Sequence, residues 1–136
     1  MNYTVTANRK IINTYTMKTI AQQLNVKEFP FTITDSKGKR IYLENSGGYW
    51  EKSEYNSNGK EIYHENSGGF WAKREYDSKG KRIYLENSGG YWYKREFDSK
   101  GNLIYYENSD GRVIDNRPKT VELTLDEIAE KFDIDV

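Results

Sequence analysis

A period of 21 residues governs this sequence. Asp35, Asn56, Asp77 and Asp98 stand 21 positions apart, as do Gly38, Gly59, Gly80 and Gly101. The same spacing carries Ile41, Ile62, Ile83 and Ile104, then Tyr42, Tyr63, Tyr84 and Tyr105. Glu44, Glu65, Glu86 and Glu107 follow it, each with an asparagine behind it (Asn45, Asn66, Asn87, Asn108). Trp50, Trp71 and Trp92 complete the set, and Val113 takes the fourth place. Three full units and a degenerate fourth therefore run from about Phe31 to Asp115. A repeat of this length is one supersecondary unit that buries its apolar groups against its neighbours.

One unit reads as two strands and two turns. In the third copy, Arg82-Ile83-Tyr84-Leu85-Glu86 is rich in strand-forming residues. Asn87-Ser88-Gly89-Gly90 is a turn, in which Asn tolerates left-handed backbone and Gly adopts it freely. Tyr91 to Phe97 alternates: Tyr91, Tyr93, Arg95 and Phe97 point one way, and Trp92, Lys94 and Glu96 the other. Asp98-Ser99-Lys100-Gly101 is a second turn, with Asp able to bond the backbone two residues on. Short loops make successive strands antiparallel neighbours. The expected fold is mainly β: an antiparallel meander of about eight strands, with a short helix at each end.

The apolar content is mostly aromatic. Leu, Ile, Val and Phe number 27 of 136 residues, and 12 Tyr and 3 Trp add large amphipathic rings. Such a composition suits a thin, ring-covered sheet better than a thick aliphatic core. Equivalent residues lie two strands apart, about 9.6 Å. Ring pairs need centroids within about 7 Å, so the three tryptophans cannot stack on one another. Either the Tyr row or the Ile/Leu row must stand between them. A one-residue slip of register would exchange the two, and the sequence leaves both arrangements open.

The 21 basic and 21 acidic residues cancel. That excludes the basic footprint of a nucleic-acid binder, so no nucleic-acid partner is expected. The absence of Cys excludes disulfides and thiolate metal sites. The single histidine, His64, argues against a metal cage, so neither metal nor cofactor is expected. No apolar run reaches the ~20 residues of a membrane span, and the N-terminus lacks a signal-peptide core. No membrane partner is expected.

The flanks of the array differ from it. Three segments emerge: 1–30 with a short helix, the hairpin array 31–115, and a capping segment 116–136. Met17, Ile20, Ala21 and Leu24 have helical spacing, with Thr16 as a candidate cap and Pro30 beyond the end. Leu125, Ile128, Ala129 and Phe132 repeat that spacing, and Thr124 with Glu127 makes a capping box. Helices this short need a surface to dock on. Residues 1–29 hold four basic and one acidic residue, whereas 119–136 hold two basic and six acidic. Both helices read like the first half of a helix-turn-helix unit, but no basic recognition helix follows either.

The run from Gly69 to Ile83, with its aromatic-Asp-Ser-Lys-Gly-Lys-Arg-Ile core, resembles the Tyr-Asp repeat of Rhs-type proteins. The resemblance covers about residues 31–115 and implies continuous antiparallel sheet; four copies are too few to close the family's large shell. The whole layout is similar to small bacteriophage and prophage proteins with ENS-x-G-x-W repeats and a C-terminal Thr-Leu-Asp-Glu-Ile-Ala segment. That similarity implies a phage-encoded accessory protein, located in the cytoplasm of the host cell, that binds and blocks a host component, such as a defence protein. A weaker likeness exists to aromatic cell-wall-binding repeats, which hold choline or glucans between hairpins.

Four equivalent glutamates do not suit catalysis, which needs two differently tuned groups. They suit a cross-strand ladder with Lys52, Lys73 and Lys94, and no enzymatic activity is expected. The Asp-Ser-Lys-Gly loops lack the further acidic ligands of a calcium site. The Asn-Ser-Gly-Gly loops could cradle an anion, and the plainer role is a turn. Copies differ at Glu51, Ala72 and Tyr93, and at Ser53, Arg74 and Arg95. Such positions can encode a specific contact or record harmless drift. The candidate partner-binding residues are Trp50, Trp71, Trp92, Tyr49, Phe70, Tyr91, Tyr93, Arg74 and Arg95. Tyr, Trp and Arg are the types enriched at binding hot spots. The expected function is protein binding, with a host protein or a second copy as partner. The alternative is carbohydrate stacked on the Trp and Tyr rows.

Overall fold

The computed structural model describes residues 2–4, 18–133 and 135. Ten strands form one open sheet in chain order. They are β1 (Asn2–Thr4), β2 (Phe31–Thr34), β3 (Arg40–Glu44), β4 (Trp50–Tyr55), β5 (Glu61–Asn66), β6 (Trp71–Tyr76), β7 (Arg82–Asn87), β8 (Trp92–Phe97), β9 (Leu103–Asn108) and β10 (Val113–Asp115). Helix α1 (Ile20–Gln23) precedes β2, and α2 (Leu125–Phe132) follows β10. From β2 to β10 the strands make the expected antiparallel meander, nine strands rather than eight. The extra strand arises because one strand precedes the first turn and another follows the last. The parallel pairing of β1 with β2, Tyr3 opposite Ile33, has no signal in the repeat pattern. A parallel neighbour needs a long crossover, and the chain between Thr4 and Phe31 has the length.

Both kinds of turn share one construction. In the first, Gly38 N–H donates to Asp35 O (3.0 Å), and Asp35 Oδ1 accepts from Lys37 N and Lys39 N (2.8 and 2.9 Å). In the second, Gly48 N–H donates to Asn45 O (3.1 Å), and Asn45 Oδ1 accepts from Gly47 N and Tyr49 N (3.0 and 3.1 Å). The left-handed residue is the fourth of each turn, Gly38 (φ 80°) or Gly48 (φ 84°). Asparagine is therefore not the left-handed residue expected from its tolerance; its side chain clasps the backbone instead.

Every repeat also contains a bulge. Glu54 pairs with Tyr63 and Tyr55 with Glu61, so Ile62 has no partner across the ladder. Ile41, Ile83 and Ile104 are skipped in the same way. An extra residue breaks the two-residue alternation. Arg40, Glu61, Arg82 and Leu103 consequently turn to the face that carries Leu43, His64, Leu85 and Tyr106.

Register then sorts the rows onto two faces. Glu44 faces Trp50, Glu65 faces Trp71 and Glu86 faces Trp92. The Tyr row lies two residues along on this same tryptophan face. The direct neighbour of each tryptophan is thus a glutamate, and neither the Tyr nor the Ile/Leu row stands squarely between them. Tyr42 reaches Trp50 diagonally, stacked at 6.2 Å. In all four copies the tyrosine hydroxyl donates to the glutamate two residues on, at 3.0, 2.8, 3.2 and 2.8 Å. The lysine ladder has the expected register, with Lys52, Lys73 and Lys94 opposite Glu65, Glu86 and Glu107. Lys52 meets Glu65 at 3.6 Å. The ammonium groups of Lys73 and Lys94 lie over Trp71 and Trp92 instead, 5.3 and 5.5 Å from the ring centres.

The apolar core sits at one end of the tryptophan face. Ile20, Ala21 and Val26 cluster there with Phe31, Ile33 and Tyr42. The helix is fixed by Glu44, 2 % exposed, whose carboxylate accepts from Thr19 Oγ1 (2.5 Å), Ala21 N (3.1 Å) and Tyr42 OH (3.0 Å). Thr19, with Gln22 completing the capping box, is the N-cap. The expected cap Thr16, and Met17 of the expected stripe, lie outside the described residues. At the other end the docking expectation fails: no residue of α2 is buried, and Leu125 and Phe132 are 70 % and 62 % exposed. Among the described residues no apolar floor equivalent to Phe31 and Ile33 exists there, because Asp115 and Arg117 hold the corresponding positions four periods on.

Two predictions follow from this face. Glu44→Ala, which orphans three donors and frees α1, lowers unfolding free energy by about 2–3 kcal/mol in urea titrations. Glu86→Ala, its repeat equivalent on the open sheet, costs under about 1 kcal/mol; equal losses would refute the special place of Glu44. Burial first, then the bond to Glu65, pushes the Tyr63 hydroxyl up to about 12. A raised folded-state value gives stability that is whole below pH ~10 and lost as pH climbs to about 12. Phenolate absorbance should show this late ionisation in the folded protein, and Glu65→Ala should bring it down.

Candidate functional site

The copies agree on one face and differ on the other. The tryptophan face repeats Tyr, Glu, Trp and Lys with little change. The opposite face carries Glu51, Ala72 and Tyr93 in one row, Ser53, Arg74 and Arg95 in a second, and Leu43, His64, Leu85 and Tyr106 in a third. Tyr49, Phe70 and Tyr91 border it, at 40 %, 43 % and 37 % exposure. The nine candidate residues are therefore divided. Trp50, Trp71 and Trp92 lie on the uniform side, while Tyr49, Phe70, Tyr91, Tyr93, Arg74 and Arg95 share the variable side. They do not form one surface.

The N-terminal half of the variable face is a self-satisfied polar network. The bulges swing Arg40 and Glu61 onto it: Arg40 pairs with Glu51 at 2.9 Å, and Arg74 pairs closely with Glu61. Ser53 Oγ donates to Glu61 Oε2 at 3.0 Å and lies 3.1 Å from His64 Nδ1. Glu61 is also 3.8 Å from that nitrogen. A charge relay needs the carboxylate on one ring nitrogen and the hydroxyl on the other. Here one nitrogen meets both groups, and Glu61 is already engaged by Arg74. A niche of about 110 Å³ opens beside these residues.

The C-terminal half is different. Tyr93 and Tyr106 stack at 6.1 Å, with Tyr91 edge-on to Tyr93 at 6.3 Å. Arg95 lies over both stacked rings, 4.2 Å from the centre of Tyr93 and 5.7 Å from that of Tyr106. Arg82 stands 5.5 Å from Tyr93, and Arg112 5.9 Å from Tyr106. Among the described residues none of these three guanidinium groups has a carboxylate partner. The Tyr93 hydroxyl and Arg82 Nε are buried without a hydrogen-bond partner. Beside the cluster, Arg95, Phe97, Leu103, Tyr106, Arg112 and Ile114 line a shallow depression of about 310 Å³.

Arg82, Tyr106 and Arg112 escaped the sequence reading. Arg82 is hidden by the bulge, since strict alternation assigns it to the wrong face. Tyr106 and Arg112 stand in the fourth copy, where the repeat degenerates, although Tyr106 already departs from Leu43 and Leu85. Among the described residues no group of three or more His, Cys, Asp or Glu side chains could hold a metal ion. No helix among them is long and apolar enough to cross a membrane. The sequence matches no family model and no curated protein.

Tyr93 offers a direct test of the cluster. A buried hydroxyl without a partner costs about 1–3 kcal/mol. Tyr93→Phe should therefore leave stability unchanged or raise it by about 1 kcal/mol in thermal unfolding. A loss of more than about 1 kcal/mol would show that the hydroxyl is satisfied in solution.

Proposed function

We propose that this chain is a non-enzymatic binding module that docks a protein partner on its variable face. The observation behind this is the contrast between the two sides of one sheet. The uniform side repeats a structural pattern, whereas the variable side ends in three arginines gathered on stacked tyrosines, with no ion-pair partner among the described residues. Guanidinium groups held over rings are desolvated on one side and keep their donors for carboxylates. The surface fits a partner that presents acidic groups around an apolar contact. The resemblance to phage and prophage proteins gives the biological setting: a phage-encoded inhibitor that occupies a host protein of defence, in the host cytoplasm.

Carbohydrate binding would draw on the other face, where sugar rings stack on bare indoles. Lysine ammonium groups already lie over Trp71 and Trp92, which weighs toward the variable face.

Affinity capture from a bacterial lysate tests the proposal. The wild-type chain and a Lys73→Glu control should retain one stoichiometric partner. Arg95→Glu should weaken its binding about 30-fold or more, the roughly 2 kcal/mol of a hot-spot residue. Capture indifferent to Arg95, or saturable sugar quenching of fluorescence that disappears in Trp71→Ala, would overturn the proposal.

A further inference from the structure

We infer that α2 of a second copy of this chain occupies the arginine–tyrosine patch, so that the free protein pairs with itself. The inference rests on the binding role of the variable face and names one occupant for it.

Two complementary surfaces are left open in the monomer. The first is α2, a capped helix whose Leu125, Ile128, Ala129 and Phe132 share one side. Leu125 and Phe132 are largely exposed, as is Val121 in the approach to the helix. Acidic residues accompany this stripe: Asp126, Glu127 and Glu130 lie within the helix, with Lys131 the basic exception. Glu127 is engaged in the cap with Thr124, whereas Asp126 and Glu130, one turn apart, make no ion pair among the described residues. The second surface is the depression of about 310 Å³, with Phe97, Leu103 and Ile114 for the apolar stripe and Arg95 and Arg112 for the carboxylates. A short amphipathic helix without a floor and a basic rim whose Arg95 and Arg112 make no ion pair among the described residues are complementary in shape and charge.

The helix on the patch comes from another chain because of how the chain leaves the sheet. Arg117 is pinned on the tryptophan face, 3.3 Å from Glu96 and 4.1 Å from the centre of the Tyr105 ring. Its guanidinium also holds Asp115 at 2.7 Å. The segment into α2 thus starts on the side of the sheet opposite the patch. To reach its own patch it would have to wrap around β10, whereas a two-fold exchange gives each patch a helix and leaves none over.

Sedimentation velocity over a dilution series, with the purified full chain alone, tests the exchange. The wild type should be a dimer that dissociates on dilution and with added salt. Arg95→Glu/Arg112→Glu and Asp126→Lys/Glu130→Lys should each raise the dissociation constant at least tenfold. Their combination in one chain should restore the dimer, as should mixing the two double variants, because each helix then meets a patch of opposite sign. The restored dimer also shows that the variants fold. A monomeric wild type at all concentrations, a dimer indifferent to both reversals, or reversals that do not rescue one another would overturn the inference. These outcomes concern the pure protein and leave capture of a foreign partner as a separate result.

Discussion

Strand register is the constraint on which this molecule depends. A single-layer sheet has no second layer to correct a slip, and a slip of one residue would send every side chain to the other face. The four-residue turns hold the register locally. In each of the eight turns an Asp or Asn oxygen accepts the backbone N–H two residues on, in all but the Asn87 turn it also accepts the one four residues on, and a left-handed glycine closes the turn. Neighbouring turns are joined as well: Ser67 N–H donates to Trp50 O at 3.0 Å, and Trp50 N–H donates to Ser67 Oγ at 3.2 Å. Ser88 with Trp71, and Ser109 with Trp92, repeat the pair. Register in this chain is a property of the turns more than of any core.

With register secured, the two faces are free to serve different ends. The tryptophan face uses the same Tyr-to-Glu hydrogen bond in every copy and covers its rings with lysines. It gains by sameness, because each unit then fits the next. The first copy departs from this: Glu44 faces Trp50 and also anchors α1, and Lys52 pairs with Glu65 rather than lying over Trp50. The variable face tolerates change because little there is needed to keep the strands in line. Its two halves have gone separate ways, one closed on itself by Arg40–Glu51 and Arg74–Glu61, the other left with unmatched positive charge.

Much of this was legible in the sequence. The period, both turns, the antiparallel order, the alternation in Trp92–Phe97 and the capping box at Thr124 follow from local rules that the structure obeys. The bulges were not legible, because the skipped residue is an isoleucine, as strand-like as its neighbours, and no glycine marks it. Missing them hid Arg82 and the Arg74–Glu61 pair, since both depend on the break in alternation. Composition suggests binding residues among the tryptophans, tyrosines and arginines; alternation already sets Trp92 apart from Tyr91, Tyr93 and Arg95, and the register extends that division to the other copies. The freedom of α2 was missed because periodicity shows that a helix has an apolar side, not whether the chain provides a floor for it.

The aliphatic cluster has a consequence for how the molecule comes apart. Ile20, Ala21, Val26, Phe31 and Ile33 all gather beside the first hairpin, and among the described residues no such cluster closes the far end. Cohesion in a linear array is the sum of unit and neighbour terms. Local opening in such an array is expected to begin at the last hairpins while the first remain zipped, like a fastener with one fixed stop. A ligand seated on the later strands would act as the second stop, so that occupancy would stiffen the whole ribbon rather than only the place it touches.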